Sequence, residues 1–346
     1  MRRTDNQSIF DTRRVFLRSA RAATGVSAFG ILTRRGDAAE FTWRYANNMV
    51  PTHSMNVYLQ QAAEGIRRDS GGRMEIQIFP NNQLGGDTDM LSQLRTGVIQ
   101  VFNLSGLILA TVVPVASISG IGFAFKDYDQ VWSAMDGSLG AYLRSAIEKS
   151  GLFAFDKMWD NGYRQVTSST HPINTPEDFK GFKIRVPVSP LWTSMFRRFG
   201  ATAMTINFSE VYNALKTKFV DGQENPLSLI HANKFYEVQK YVSITNHMWD
   251  GFWTLANGRA WAALPSVLQD IVANNINEAA LKERQDIRKL NESLRDNLAQ
   301  KGMVFNPTDP EKFRGALRAA GFYTEWKEKY GLEAWAVFEK QVGALA

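Results

Sequence analysis

Between residues 41 and 79 the apolar pattern changes period twice, and few folds are open to a chain that does this. Phe41-Thr42-Trp43-Arg44-Tyr45-Ala46 reads as an opening strand. Ser54 to Asp69 then places Val57, Leu59, Ala62, Ala63 and Ile66 at helical spacing and stops at Gly71-Gly72. Met74-Glu75-Ile76-Gln77-Ile78-Phe79 alternates with period two and ends at Pro80, as a half-buried strand does. Strand, helix and strand in this order predict an α/β chain with largely parallel sheets.

The alternation continues. A helix is expected at Asp87 to Thr96, an apolar strand at Val98 to Leu104, a helix at Tyr128 to Lys149 and a strand at Phe153 to Trp159. A second round brings strand Tyr163 to Ser168, a turn over Pro172 to Pro176, strand Phe182 to Val186, and helices at Pro190 to Phe199 and Ser209 to Lys216. Tyr241 to Thr245 and Phe252 to Ala256 are strand-like, after which the chain turns mostly helical. Pro265 to Lys301 contains no Gly and no Pro beyond Pro265; a helix there exceeds about 30 Å at roughly 1.5 Å per residue and can cross between two lobes.

The net charge of +6 is unevenly spread. Residues 1–39 hold eight arginines against three aspartates, or +5, so the remaining body carries +1. A near-neutral body has no broad phosphate-binding field, which argues against a nucleic-acid partner. Thr12-Arg13-Arg14-Val15-Phe16-Leu17-Arg18, the weakly apolar run Ala22 to Leu32 and the small residues near Gly36-Asp37-Ala38-Ala39 resemble a twin-arginine signal peptide. Residues 1–38 are therefore expected to be an export signal and the mature protein to be periplasmic. The chain has no cysteine, so it offers neither a disulfide nor a thiolate ligand nor a cysteine nucleophile.

Signatures of catalysis are missing. His53, His171, His231 and His247 show no HExxH spacing, Gly85-Gly86 and Gly120-Ile121-Gly122 fit neither a P-loop nor GxGxxG, and no GxSxG elbow occurs. No metal or cofactor is expected. Asp87 and Asp89 read as helix-start residues serving the cap and dipole. The informative stretches are Asn161-Gly162-Tyr163-Arg164-Gln165, Gly181-Phe182-Lys183-Ile184-Arg185-Val186-Pro187 and Val220-Asp221-Gly222-Gln223-Glu224-Asn225-Pro226, where single Arg and Asn residues stand at strand ends beside Pro or Gly. Open α/β sheets place ligands at such ends. An arginine fork there fits a carboxylate through two parallel hydrogen bonds, although either arginine alone also fits a surface ion pair.

These stretches, together with Gly72 to Ile76, Phe79 to Gly85, Phe199-Gly200-Ala201, Phe208 to Leu215, Lys234 to Tyr241 and Thr245-Asn246-His247, resemble the DctP-type substrate-binding proteins of tripartite ATP-independent periplasmic (TRAP) transporters over nearly the whole body. The resemblance implies an α/β, two-lobed periplasmic-binding-protein-like fold with hinge strands and a long helix spanning both lobes. Residues 39–161 and 252–291 are then expected in lobe I, and 162–251 and 292–346 in lobe II. The family's carboxylate clamp falls on Arg185, a second cationic partner on Arg164 and a hydrogen-bonding partner on Asn225. Asn48 and Phe208 align with further pocket positions. Trp249 and Asp250 would reach the pocket from the hinge, the first as an apolar wall and the second as an acceptor for a substrate hydroxyl. Trp159 and Trp192 are placed near the site or in the core.

Sialic-acid binders of the family carry an acid and an arginine where this chain has Ser105 and Ile108, which argues for a smaller or more apolar acid. A 2-hydroxy or 2-oxo monocarboxylate, branched and aromatic ones included, is the first expectation; a uronate or aldonate is the alternative. The implied partners are that acid and a TRAP membrane permease, with the protein a monomer and not an enzyme. A periplasmic ligand sensor and, less favoured, a periplasmic enzyme remain the other readings.

Overall fold

The computed structural model describes residues 38–345; the leader expected as an export signal lies outside the described residues. The chain opens with β1 (Phe41–Ala46), α1 (Ser54–Asp69), β2 (Met74–Phe79), α2 (Asp87–Thr96), β3 (Val101–Ser105) and the short α3 (Gly106–Leu109). It continues through α4 (Tyr128–Met135), α5 (Ser138–Glu148), β4 (Leu152–Ala154), β5 (Trp159–Tyr163), β6 (Gln165–Ser168), β7 (Lys183–Val186), α6 (Pro190–Arg198), β8 (Thr202–Thr205), α7 (Val211–Lys216), β9 (Gly222–Asn225) and α8 (Leu227–Ala232). The last part holds β10 (Tyr241–Ile244), β11 (Trp249–Asn257), α9 (Gly258–Ala262), α10 (Ser266–Gln300), β12 (Val304–Pro307), α11 (Pro310–Ala319), α12 (Phe322–Tyr330) and α13 (Leu332–Val342). Among the described residues no helix is long and apolar enough to cross a membrane.

Local pattern becomes structure directly in the opening unit. Met55, Leu59, Ala62 and Ile66 form the buried stripe of α1, whose first turn is capped by His53 accepting from the Met55 N–H. In β2, Met74 and Ile76 face inward while Glu75 and Gln77 face out. Two six-stranded sheets result. One runs β2-β1-β3-β11-β4, with β5 also paired to β11; the other runs β12-β10-β6-β9-β7-β8.

The alternation predicts largely parallel sheets, but both are mixed: two of five pairings are parallel in the first sheet and three of five in the second. β11 runs antiparallel to β3, β4 and β5, and β6 antiparallel to β9 and β10. The reason is topological: β11 enters the first sheet after the chain has visited the second, and a returning strand has no helical crossover to turn it parallel. All nine residues of β11 are buried, so it shows no period-two signal. Two expected elements also split. The helix over 128–149 breaks at Gly137, where a Cβ would come within 2.4 Å of the Ser133 carbonyl. The strand over 153–159 divides into β4 and β5, both paired to β11.

The chain passes between the sheets where the site will form. β5 belongs to the first sheet and β6 to the second, and Arg164 alone separates them. Gly162 just before it holds φ +107°, and a Cβ there would lie 2.7 Å from the Asn291 amide nitrogen, so the turn requires glycine. β10 and β11 cross in the opposite direction. The 35-residue α10, about 52 Å long, packs on α1 and β5 at one end and α8 and β12 at the other. The C-terminal segment, expected with lobe II, reaches both sides: α11 packs on α6, whereas α13 lies on α4 and α5, with Phe338 edge-on to Phe125.

Candidate functional site

Between the two sheets lies a narrow cavity lined by side chains from both. Its second-sheet wall is cationic. β7 runs parallel between β8 and β9, setting Arg185 in register with Met204 and Gln223. The Arg185 side chain is 1% exposed. Its Nε and Nη2 donate to the Ile206 carbonyl at 2.9 and 2.6 Å, and its guanidinium lies 5.9 Å from the Phe208 ring centroid. Nη1 has no partner. Three of the five guanidinium N–H groups are therefore open. Burial pushes the guanidinium down to about 9, against the pull of Glu224 and Asp87.

Arg164 lines the same cavity in the opposite condition. Its Nη2 donates to Glu224 Oε1 at 2.8 Å and to the Glu224 carbonyl at 2.7 Å, its Nε bonds Glu224 Oε2, and its Nη1 bonds Asp250 Oδ2 at 2.9 Å. Four of its five N–H groups are spent inside the protein, and its guanidinium lies 4.5 Å from the Trp192 ring centroid. His247 Nε2 faces the same Glu224 carboxylate at 3.1 Å. Despite burial, the Arg164 charge holds Glu224 below its ordinary value.

Across the cavity the first-sheet wall is rich in acceptors. Asn48, in the loop after β1, donates from Nδ2 to Asp87 Oδ1 at 2.8 Å, and Asn161 of β5 donates to Asp250 Oδ2 at 3.0 Å. A carboxylate takes the amide nitrogen in each case, so both amide oxygens turn elsewhere; Asn48 Oδ1, Asn161 Oδ1 and Asp87 Oδ2 are all buried without partners. Ser105 donates to Asp250 Oδ1 at 2.6 Å. Burial raises Asp87 to about 6 against the opposing pull of Arg185, and it raises Asp250 against that of Arg164. Ile108, Leu229 and Phe252 complete the lining with carbon.

Of the residues singled out from sequence, Arg185, Arg164, Asn225, Asn48, Phe208 and Asp250 all line this cavity. Asn225 donates from Nδ2 to Gln223 Oε1. Trp249 does not line it. Its indole packs edge-on to Phe125 and Trp132, and its Nε1 donates to Asp160 Oδ1 at 2.8 Å, a core position set by the start of β11. Trp159 is likewise core, while Trp192 forms part of the cavity wall. Arg164 departs from the role of a free second cation, since two buried carboxylates already claim its charge. Ser105 and Ile108, the positions from which a smaller acid was expected, do line the cavity. Asp87 and Asn161 also line the cavity, although the sequence assigns the first only to a helix start and the second only to an informative strand-end stretch. Asp87 begins α2 and invites the capping explanation; the strand-end loop Gly85-Gly86 before it was the available signal.

Residues 45–327 match the family model described as bacterial extracellular solute-binding protein, family 7, DctP. The chain belongs to the DctP family. It is similar to the 2,3-diketo-L-gulonate-binding periplasmic protein YiaO of Escherichia coli (strain K12), 28% identical over 302 residues, or 87% of this chain and 92% of that one. The sialic acid-binding periplasmic protein SiaP of Vibrio cholerae is 31% identical over 270 residues, 78% of this chain and 83% of its own. Among solved structures, the sugar acid binding protein DctPAm of Advenella mimigardefordensis, in complex with galactonate, agrees with a TM-score of 0.84 at 28% identity, covering 88% of this chain and 99% of that one. A TRAP periplasmic solute-binding protein from a Polaromonas species, bound to D-erythronate, gives 0.83 at 27% identity, covering 88% and 99%. This DctP-family chain is thus a TRAP-type solute-binding protein, with the two-lobed α/β fold of that group.

Proposed function

We propose that this DctP-family protein captures a small hydroxylated monocarboxylate, Arg185 holding the carboxylate, and delivers it to a TRAP membrane permease. The observation that carries this reading is the unpartnered Nη1 of Arg185, a cation 1% exposed with three open N–H groups. A buried charge without a partner is strongly disfavoured, and a planar carboxylate supplies both the charge and the two acceptors that a guanidinium fork takes. One open cation favours a monocarboxylate. The unpaired oxygens of Asn48 and Asn161 opposite it need donors, which hydroxyl groups provide and keto groups do not. This shifts the balance within the expected 2-hydroxy or 2-oxo acids to the hydroxy acids. D-erythronate, the ligand of the Polaromonas relative, is of that kind.

The ligand joins two walls that belong to different sheets, so it binds the closed arrangement better than an open one and shifts the population toward closure. In this reading the acid leaves as it came. The twin-arginine leader would place the protein in the periplasm, facing its permease.

The test is a thermal-shift panel of the mature protein with D-erythronate, galactonate, lactate, 2-hydroxyisovalerate, pyruvate, succinate and glucuronate, since a ligand of the native state alone raises Tm by mass action. The largest shift is expected with a short hydroxy monocarboxylate. A largest shift with succinate or pyruvate overturns the assigned chemotype, and no shift with any acid overturns the function.

A further inference from the structure

We propose that capture of the acid takes up one proton from solvent, which resides on Asp87 in the complex, so that Asp87 donates from Oδ2 to the ligand. This rests on the assignment of the cavity as the acid site. The starting point is the count of charges that the cavity must hold. Arg164 and Arg185 supply two positive charges; Glu224, Asp250 and Asp87 supply three negative ones when ionised, and all five side chains are buried. A ligand carboxylate adds a fourth negative charge among these buried groups. It does so beside Arg185, the cation on which Asp87 also draws.

The three protein carboxyls are not equally able to remain charged. Glu224 is gripped by Arg164 through both oxygens and faced by His247. Asp250 accepts from Ser105, Asn161 and Arg164. Asp87 has a single side-chain donor, Asn48, on Oδ1, and Oδ2 is unpartnered and opens on the cavity. From the elements packed around it, the groups that act on Asp87 are Arg185 of β7, Asp250 of β11 and the Phe208 backbone amide, while its own α2 places Asp89 out at the surface. Asp87 is therefore the member whose ionised form is least supported, and a carboxyl already lifted to about 6 in the free protein is the one that an arriving anion lifts further. Once protonated, Oδ2 becomes a donor, and the two sides of a bound hydroxyl are then matched: it donates to Asn48 and accepts from Asp87.

The sign of the linkage follows. Below about pH 6 Asp87 is protonated in both states and affinity is flat. Above it the complex holds the additional proton, so affinity weakens as pH rises, by up to about tenfold per unit. The experiment is calorimetry at pH 7.5 with the acid giving the largest thermal shift, run in phosphate and in Tris to count protons, on the wild type and on Asp87→Asn. Uptake of about one proton is expected for the wild type and close to none for Asp87→Asn, whose affinity should change less than about twofold between pH 6.5 and 8.

Binding without buffer dependence in the wild type overturns the proposal while leaving the acid-binding function intact; equal uptake in Asp87→Asn assigns the proton to Asp250, His247 or another group and also overturns it. Should Asp87→Asn fail to bind, carboxyl-labelled aspartate NMR of the wild type decides. Movement to its protonated position on ligand addition of the carboxyl resonance that Asp87→Asn lacks supports the proposal, and movement of another carboxyl or of none refutes it. If no acid in the panel binds, the function and this coupling fall together.

Discussion

Two buried arginines line the cavity and are left in opposite conditions. On the second-sheet wall Arg185 is held by one backbone carbonyl and keeps an open face, with Glu224 and Asp87 acting on it through space and no carboxylate bonded to it. At the crossing point between the sheets Arg164 is enclosed by Glu224 and Asp250, which consume nearly all of its donors. The difference teaches that burial of an arginine does not identify a ligand clamp. What does so is burial combined with unspent hydrogen-bonding capacity, because only then does folding leave a deficit that a ligand can fill.

Exchanging either arginine for alanine should separate these roles. Arg164→Ala leaves two buried carboxylates without their cation and is expected to destabilise the fold by about 3–5 kcal/mol, read by urea unfolding at pH 7. A loss below about 1 kcal/mol would break the contrast. Arg185→Ala removes an uncompensated charge, so its stability without ligand should be unchanged or higher. Its affinity for the acid should fall about a hundredfold or more in calorimetry, the range for truncating one partner of a buried charge pair. A variant that unfolds early but binds normally would reverse the assignment.

A third substitution asks whether an acid can also carry such a deficit away from the ligand. Asp160 on β5 is buried, accepts from Trp249, and has an unpaired Oδ2; burial pushes it up to about 7. Its native value lies above that of the unfolded chain, near 4. Its contribution is thus fully present below about pH 4 and is lost as pH rises through about 7. Asp160→Asn should therefore stabilise the protein by about 2 kcal/mol at pH 8 and leave it nearly unchanged at pH 4, measured by chemical unfolding at both. Equal effects at the two pH values would contradict this. The smallest effect is expected on the acceptor wall. Asn48→Ala should weaken a hydroxy acid about fivefold, or about 1 kcal/mol, and leave its deoxy analogue unaffected; equal losses for both ligands would remove Asn48 from hydroxyl recognition.

Much of this was legible in the sequence where local pattern and final environment agree. β2 and α1 each bury one face against one neighbour, so their periods survive in the sequence. β11 is enclosed on both faces and reads as an unpatterned run, which hid its antiparallel course and its four residues beyond Phe252 to Ala256. Arg185 and Asn225 stood out because a charged or amide residue at a strand end beside proline has little local explanation. Asp87 had an explanation ready, since acids commonly start helices, and nothing local told that its second oxygen faces a cavity. The state of Arg164 was illegible for a related reason: Glu224 and Asp250 lie 60 and 86 residues away in the chain, and only the crossing of the strands brings them together. Trp249 was misplaced by proximity to Asp250, because successive strand residues point to opposite faces.

The most direct test of the central claim, that Arg185 is the carboxylate clamp, is a double-mutant cycle with the tightest acid and its primary amide, titrated by calorimetry into the wild type and Arg185→Ala. The wild type should prefer the acid about a hundredfold, and that preference should disappear in Arg185→Ala, leaving both ligands equally weak. If Arg185→Ala keeps the full preference for the acid, another group holds the carboxylate and the clamp assignment is wrong.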